Sequence, residues 1–239
     1  MPAMSIYARS AEVYDAIYDS SGKDYAQEAE KLRTLIEKHK RSSGNALLDV
    51  ACGTGRHLEH LRQWYDVEGL DLSPEMLEVA RRRLSDVPLH RGDMLDFRLE
   101  RRFDAVTCLF GSIAYVKTID RLRRAVANLA EHIVPGGVLL LEPFIRPEDF
   151  RPNYLHAGFV DRPDLKVVRM NVSAREGNLF IANFHYLVGT PAGIEYFTEC
   201  HELGMFTDEE YREALRSAGL EVTHDPEGLM GRGLFIGRK

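Results

Sequence analysis

Residues 47–55 read Leu-Leu-Asp-Val-Ala-Cys-Gly-Thr-Gly, and a lone acid, Asp71, ends the next apolar run, Val67 to Leu70. Ala46 to Val50 is apolar enough for a buried strand. About Arg56 to Tyr65 then reads as a helix. Gly53 and Gly55 lack Cβ, so the chain can turn sharply there and approach a ligand closely. Asp71 offers a carboxylate to both hydroxyls of a ribose. Strand, glycine turn, helix, strand and acid in this order place a nucleoside-type ligand at the carboxyl ends of parallel strands, where open α/β sheets bind.

Two cofactor classes fit that outline, and the glycine spacing separates them. A dinucleotide fingerprint is G-x-G-x-x-G. Here Leu58 stands at the third glycine's position, where a bulky side chain opposes close helix–strand packing. Asp49 at the strand end sits badly beside a pyrophosphate but well near an amino acid's ammonium. S-adenosyl-L-methionine has that ammonium, no phosphate, and a ribose for Asp71. An NAD-binding oxidoreductase is the more distant reading.

Asp49-Val-Ala-Cys-Gly-Thr-Gly55 resembles the first motif of class I S-adenosylmethionine-dependent methyltransferases. Gly69 to Met76 resembles their second motif, and Arg91-Gly-Asp-Met-Leu-Asp96 their adenine-contacting motif. Phe103 to Leu109 and Leu129 to Leu141 resemble the fourth and fifth strands. The resemblance implies a doubly wound, mostly parallel, seven-stranded Rossmann-like α/β sheet. It implies that Asp71 binds the ribose, that Asp93 and Met94 flank the adenine, and that the Asp49–Gly55 loop passes under the methionyl part. Tyr18, Ala51, Leu72, Met76 and Leu109 complete the implied cofactor set.

The chain has 239 residues, 44% hydrophobic and 28% charged, with a net charge of −6. That suits one soluble α/β domain with an elaboration. The negative balance disfavours a phosphate-backbone binder, so no nucleic-acid partner is expected. The runs Arg81-Arg-Arg83 and Arg121, Arg123, Arg124 read as solvated helix faces. Residues 1–10 hold no long apolar region, and no apolar run approaches a membrane span, so neither a signal peptide nor a membrane association is expected. Three cysteines without ligand spacing argue against a metal site and for a reducing, cytoplasmic setting.

The chain divides into an N-terminal helical cap (1–45), a cofactor-binding core (46–143), an antiparallel insert (144–206) and a C-terminal helix and strands that complete the sheet (207–239). Pro135-Gly136-Gly137 is expected to stop a helix before a strand at Val138 to Leu141. In the insert, Leu165 to Val172, Leu179 to Val188 and Ile194 to Leu203 read as strands joined by hairpins. Such an insert can cover the cofactor, build the acceptor pocket or form a homodimer surface. Thr207-Asp-Glu-Glu210 starts a capped helix.

Methyl transfer from a sulfonium needs mainly an aligned nucleophile. A neutral amine requires no strong base, and no metal-ligand cluster marks the core, which favours nitrogen over oxygen. The segments Glu12 to Asp15, Gly22 to Tyr25, Leu109 to Tyr115, Ala174 to Asn178 and Gly231 to Phe235 are similar to bacterial nucleotide-aminosugar N,N-dimethyltransferases of macrolide biosynthesis. That resemblance implies a dTDP-linked 3-amino-deoxyhexose as acceptor. Tyr14 and Ser112 would line the sugar pocket, and Glu142 would lie near the sugar's polar groups. Arg232, with Arg175, would hold the nucleotide. Tyr115 completes the implied catalytic set, but stands where some members carry histidine, and a neutral phenol is a poor proton acceptor. His185 and His201 read as satisfied sheet histidines. Another small amine or hydroxyl metabolite, or a non-catalytic cofactor-binding module, are the alternative functions.

Overall fold

The computed structural model describes residues 6–239. Helices α1 (Ala11–Ser20) and α2 (Tyr25–His39) precede β1 (Ala46–Val50), α3 (Arg56–Leu61), β2 (Asp66–Asp71), α4 (Pro74–Arg83) and β3 (Leu89–Arg91). Then come β4 (Phe103–Cys108), a 3-10 turn (Ser112–Val116), α5 (Ile119–Glu131) and β5 (Ile133–Leu141). Four further strands follow: β6 (Leu155–Asp161), β7 (Lys166–Glu176), β8 (Leu179–Thr190) and β9 (Gly193–Gly204). α6 (Asp208–Ser217), β10 (Glu221–Asp225) and β11 (Leu234–Arg238) close the chain.

Seven strands form one sheet in the order β10-β11-β5-β4-β1-β2-β3. β1 to β5 are parallel, and β11 runs antiparallel to both its neighbours. β1 lies between β2 and β4, so the winding reverses at its carboxyl end, the position where such sheets open a crevice. α5 and α6 bury one face of the sheet; α2, α3 and α4 bury the other. α6 starts with a full capping box, Thr207 and Glu210 each accepting from the other's backbone N–H.

Two local expectations need correction. α3 ends at Leu61, and tight turns carry the chain through Trp64 into β2. Pro135-Gly-Gly does not stop a helix. α5 already ends at Glu131, and the three residues lie in a bulge of β5, between the pairs Phe103↔Ile133 and Ala105↔Val138. A Cβ on Gly137 would meet Asp104 O at 2.8 Å, so the bulge needs a glycine there.

β6, β7, β8 and β9 form a separate antiparallel sheet. β6 adds a strand that its punctuated sequence did not announce. α1 packs on this sheet through Val13, Ala16 and Ile17 against Val160, Val167, Tyr186 and Phe197. α2 instead joins the core of the larger sheet. The two N-terminal helices therefore serve different layers, and α1 spans the gap between them.

Candidate active site

At the end of β1 the backbone turns through three left-handed residues, Ala51 (φ 59°), Gly53 (55°) and Gly55 (78°). A Cβ on Gly53 would meet nothing within 4 Å, so its glycine answers to conformation and leaves open space above it. Leu58 is fully buried in α3. The room it takes is supplied from the strand: a Cβ on Gly69 would lie 2.8 Å from Leu58 Cδ1 and 2.9 Å from Cys52 Sγ. The third glycine of the dinucleotide pattern has, in effect, moved across to β2.

Asp71, at the carboxyl end of β2, braces this turn. Its Oδ2 accepts the Gly53 N–H and its Oδ1 the Ser73 N–H, both at 2.8 Å. Burial raises its carboxyl above the ordinary range, while those backbone donors pull the other way. Asp49 is buried below, accepting from the Thr107 hydroxyl at 2.7 Å. Burial pushes it up to about 6, against the pull of His57 and Thr107.

Two cavities flank this point. The first, about 670 Å³, is lined by Ala51, Gly53, Asp71, Leu72, Met76, Asp93 and Met94 among others. The second, about 520 Å³, lies between α1, the loop after β4 and the inner face of the smaller sheet. Tyr7, Tyr14, Ser112 and Tyr115 line both. Three of the four residues expected to serve the acceptor reaction thus stand on the common wall.

The remaining candidates fall elsewhere. Asp49, Gly55 and Leu109 do not line the first cavity, and Asp49 and Leu109 are buried. Tyr18 lines the second cavity only, edge-on to Phe110. Glu142 is fully buried and lines neither cavity. Its Oε2 accepts the Phe110 N–H at 2.6 Å, and its Oε1 lies 3.5 Å from Arg232 Nη2. It therefore fixes the loop that carries Phe110 (φ 57°) and Gly111 (φ 70°). Arg232 lines the second cavity and stacks on Phe110. Arg175 does not line it. Its guanidinium donates to Gly177 O and Pro147 O and lies over Phe150, which does.

Several groups on the second cavity escaped the sequence reading. Arg169, buried on β7, stacks on Tyr18 and Phe184 and donates to Tyr18 Oη at 3.3 Å. Arg151 and His156 also line this space. His201 reaches it from β9, with Nδ1 2.6 Å from Tyr115 Oη. Tyr7 Oη is 2.6 Å from the same phenol oxygen. Burial drives the Tyr7, Tyr14 and Tyr115 phenols well above their usual value, so all three stay neutral. The Arg81–Arg83 run is not all solvated face. Arg83 donates to Thr54 O and to Asp15, and Thr54 donates to Asp15 Oδ1 at 2.6 Å, which latches α1 onto the glycine turn. Arg121 lines the first cavity. Among the described residues no cluster of three or more His, Cys, Asp or Glu is placed to hold a metal.

Known proteins share this design. Residues 47–137 match the family described as a methyltransferase domain. The chain is 46% identical, over 95% of its length and 89% of the relative's, to the dTDP-3-amino-3,6-dideoxy-alpha-D-glucopyranose N,N-dimethyltransferase of Streptomyces fradiae. The chain belongs to the class I S-adenosylmethionine-dependent methyltransferases, in their sugar N,N-dimethyltransferase branch. The crystal structure of Streptomyces venezuelae DesVI superposes with a TM-score of 0.90 at 44% identity, covering 95% of this chain and 97% of that one. The S-adenosylmethionine-bound structure of CalS10, an amino pentose methyltransferase of Micromonospora echinaspora calicheamicin biosynthesis, gives 0.85 at 43%, covering 95% and 96%. Within this branch the antiparallel sheet is a shared part of the fold, since both superpositions extend over nearly the whole methyltransferase chain.

Proposed function

We propose that this methyltransferase methylates the amino group of a dTDP-linked 3-amino-deoxyhexose. The observation that carries this reading is the common wall: among the described residues, Tyr7, Tyr14, Ser112 and Tyr115 line both cavities. S-adenosylmethionine supplies an electrophilic sulfonium methyl. Asp71 would accept from its ribose, Asp93 and Met94 would flank its adenine, and the Asp49–Gly55 turn would hold its methionyl end. The fit is chemical as well as spatial. Asp71 is a buried carboxylate with acceptor capacity beyond its two backbone donors, and Gly53 leaves space where any side chain would project.

The second cavity suits a nucleotide sugar. Arg232, Arg169 and Arg151 bring guanidinium groups to a space that also holds Tyr18, Phe150 and Phe184. Guanidinium forks bind a diphosphate, and aromatic faces suit a base. Tyr14 and Ser112 orient the amine at the wall, and orientation of this kind can lower a barrier by about 7–11 kcal/mol. The acceptor is a small metabolite and not a nucleic acid, a reading supported by the enclosed cavity and the net charge of −6. No described helix is long and apolar enough to cross a membrane, and the three cysteines are all free, which supports a reducing, cytoplasmic setting. The outer face of the smaller sheet exposes Leu155, Phe159, Val172, Ile194 and Tyr196, which supports a homodimer through that face.

Incubation with labelled cofactor and a dTDP-3-amino-3,6-dideoxyhexose should give mono- and dimethylated sugar by mass. Arg232→Ala should raise the acceptor KM by about tenfold or more, as expected for one charge-assisted contact. Intact cofactor binding without any methylated sugar would refute the acceptor assignment and leave the family assignment standing.

A further inference from the structure

The acceptor's proton needs an exit. A sugar amine is largely an ammonium near neutral pH, and an ammonium nitrogen has no lone pair with which to attack. Tyr115 stands on the common wall with a neutral phenol, so it cannot keep the proton itself.

What lies behind Tyr115 decides the matter. Its oxygen is 2.6 Å from His201 Nδ1, and His201 is 4% exposed. On the far side of the ring, Nε2 faces Glu199 Oε2 at 3.7 Å. Both of these atoms are buried and lack a hydrogen-bond partner. A carboxylate only accepts, so the ring proton belongs on Nε2 and Nδ1 accepts the Tyr115 O–H. The other Glu199 oxygen is held by the backbone N–H groups of Ser10 (3.1 Å) and Arg9 (3.3 Å). Leaving two buried polar atoms unsatisfied is costly for packing alone. The same arrangement becomes favourable once the ring is positive and beside the carboxylate. Nor is the pair needed to join the 3-10 turn to β9, because Lys117 already donates to Glu202 at 2.6 Å.

We infer that Tyr115 and His201, backed by Glu199, form the proton relay for the acceptor amine. The inference rests on the aminosugar reading above. In the step, the ammonium N–H bond breaks and its electron pair stays on nitrogen. The proton bonds to Tyr115 Oη as the tyrosine's own proton moves to His201 Nδ1. The charge passes from ammonium to imidazolium, and the phenol ends neutral. Water entering with the next acceptor takes the proton from the ring. A second methylation on the same nitrogen repeats the step. Tyr115 is the group that touches the amine, and His201 acts through it. The titratable groups against His201 are Tyr7 from the N-terminal segment, Tyr115 from the 3-10 turn and Glu199 from its own strand, and Tyr186 of β8 faces Glu199. Arg169 lies over Phe184, whose ring is edge-on to His201.

The test uses the full chain with the dTDP-aminosugar. Tyr115→Phe and His201→Gln should each lower kcat by about 10²-fold, the scale of a lost proton-transfer group. The acceptor KM and the affinity for S-adenosylhomocysteine should barely move. Wild-type kcat should fall on the acid side where an imidazolium can no longer accept the proton, and in both variants that limb should move up to the titration of the acceptor amine itself, because only free base can then attack. The double variant Tyr115→His/His201→Gln, with an imidazole at the wall itself, should recover about tenfold over His201→Gln. A merely structural pair would show neither the displaced limb nor the rescue. If His201→Gln melts early, Tyr115→Phe, which deletes one oxygen, carries the same test. Variants with wild-type kcat and pH profile would overturn the relay while turnover by the wild type left the aminosugar reading intact. A wild type that binds S-adenosylhomocysteine yet methylates no sugar amine would overturn both.

Discussion

The two sheets place polarity on opposite sides. In the seven-stranded sheet, β1 and β4 are buried along their whole length, and the functional groups gather at the carboxyl ends. In the four-stranded sheet the buried side of β7 carries Val167, Arg169, Asn171 and Ser173, while Met170 and Val172 point outward, 40% and 51% exposed. Toward its cavity the larger sheet presents backbone and one acid; the smaller presents side chains midway along its strands. A strand's hydrophobic alternation gives its two faces, but which face meets water depends on what the inner face must hold.

Three substitutions bear on that contrast. Asp71→Ala should have the largest effect. Two charge-assisted hydrogen bonds to a ribose would be lost, lowering affinity for S-adenosylhomocysteine by about 10²-fold or more while the fold persists. Calorimetry would show it, and an unchanged affinity would mean that Asp71 only braces Gly53 and Ser73. Asp49→Asn comes next. Burial raises this carboxyl from 3.8 to about 6, so the native state binds its proton more tightly than the unfolded chain does. Native stability is therefore lost as pH rises through that interval, by on the order of 3 kcal/mol above it. The asparagine variant should be the more stable protein at pH 8 by up to that amount, with the gain vanishing below the unfolded value. Urea titrations without cofactor at both pH values would check this. The smallest effect on catalysis belongs to the outer face of the insert. Phe159→Glu should shift the sedimentation coefficient from dimer to monomer and leave kcat per chain unchanged. A wild type that sediments as a monomer would break the assignment of that face.

The donor side was legible because its parts are local. Asp49, Gly53, Gly55 and Asp71 fall within one strand–turn–helix–strand unit, and Leu58 could be judged against a known spacing. The acceptor side was legible only in part. Tyr7 and Tyr115 are 108 residues apart, and Tyr115 and His201 are 86 apart. No spacing in the chain announces such a meeting. His201 sits in an alternating strand and reads like His185, which in the structure pairs with Tyr196 on the exposed face. Glu142 was ambiguous for a related reason. A strand-end acid looks the same in sequence whether it faces a ligand or, as here, secures the backbone of Phe110.

The common wall also bears on how such an enzyme can change its diet. Tyr7, Tyr14, Ser112 and Tyr115 line both cavities, so a substitution there alters both spaces at once. Arg151, Tyr154, His156 and Asn171 line the acceptor cavity alone. They belong to β6, β7 and the loop before them, away from the glycine turn. New sugar preferences can be explored at those positions while the methyl donor is held in place, which makes the insert the evolvable half of the molecule and the better target for altering acceptor scope.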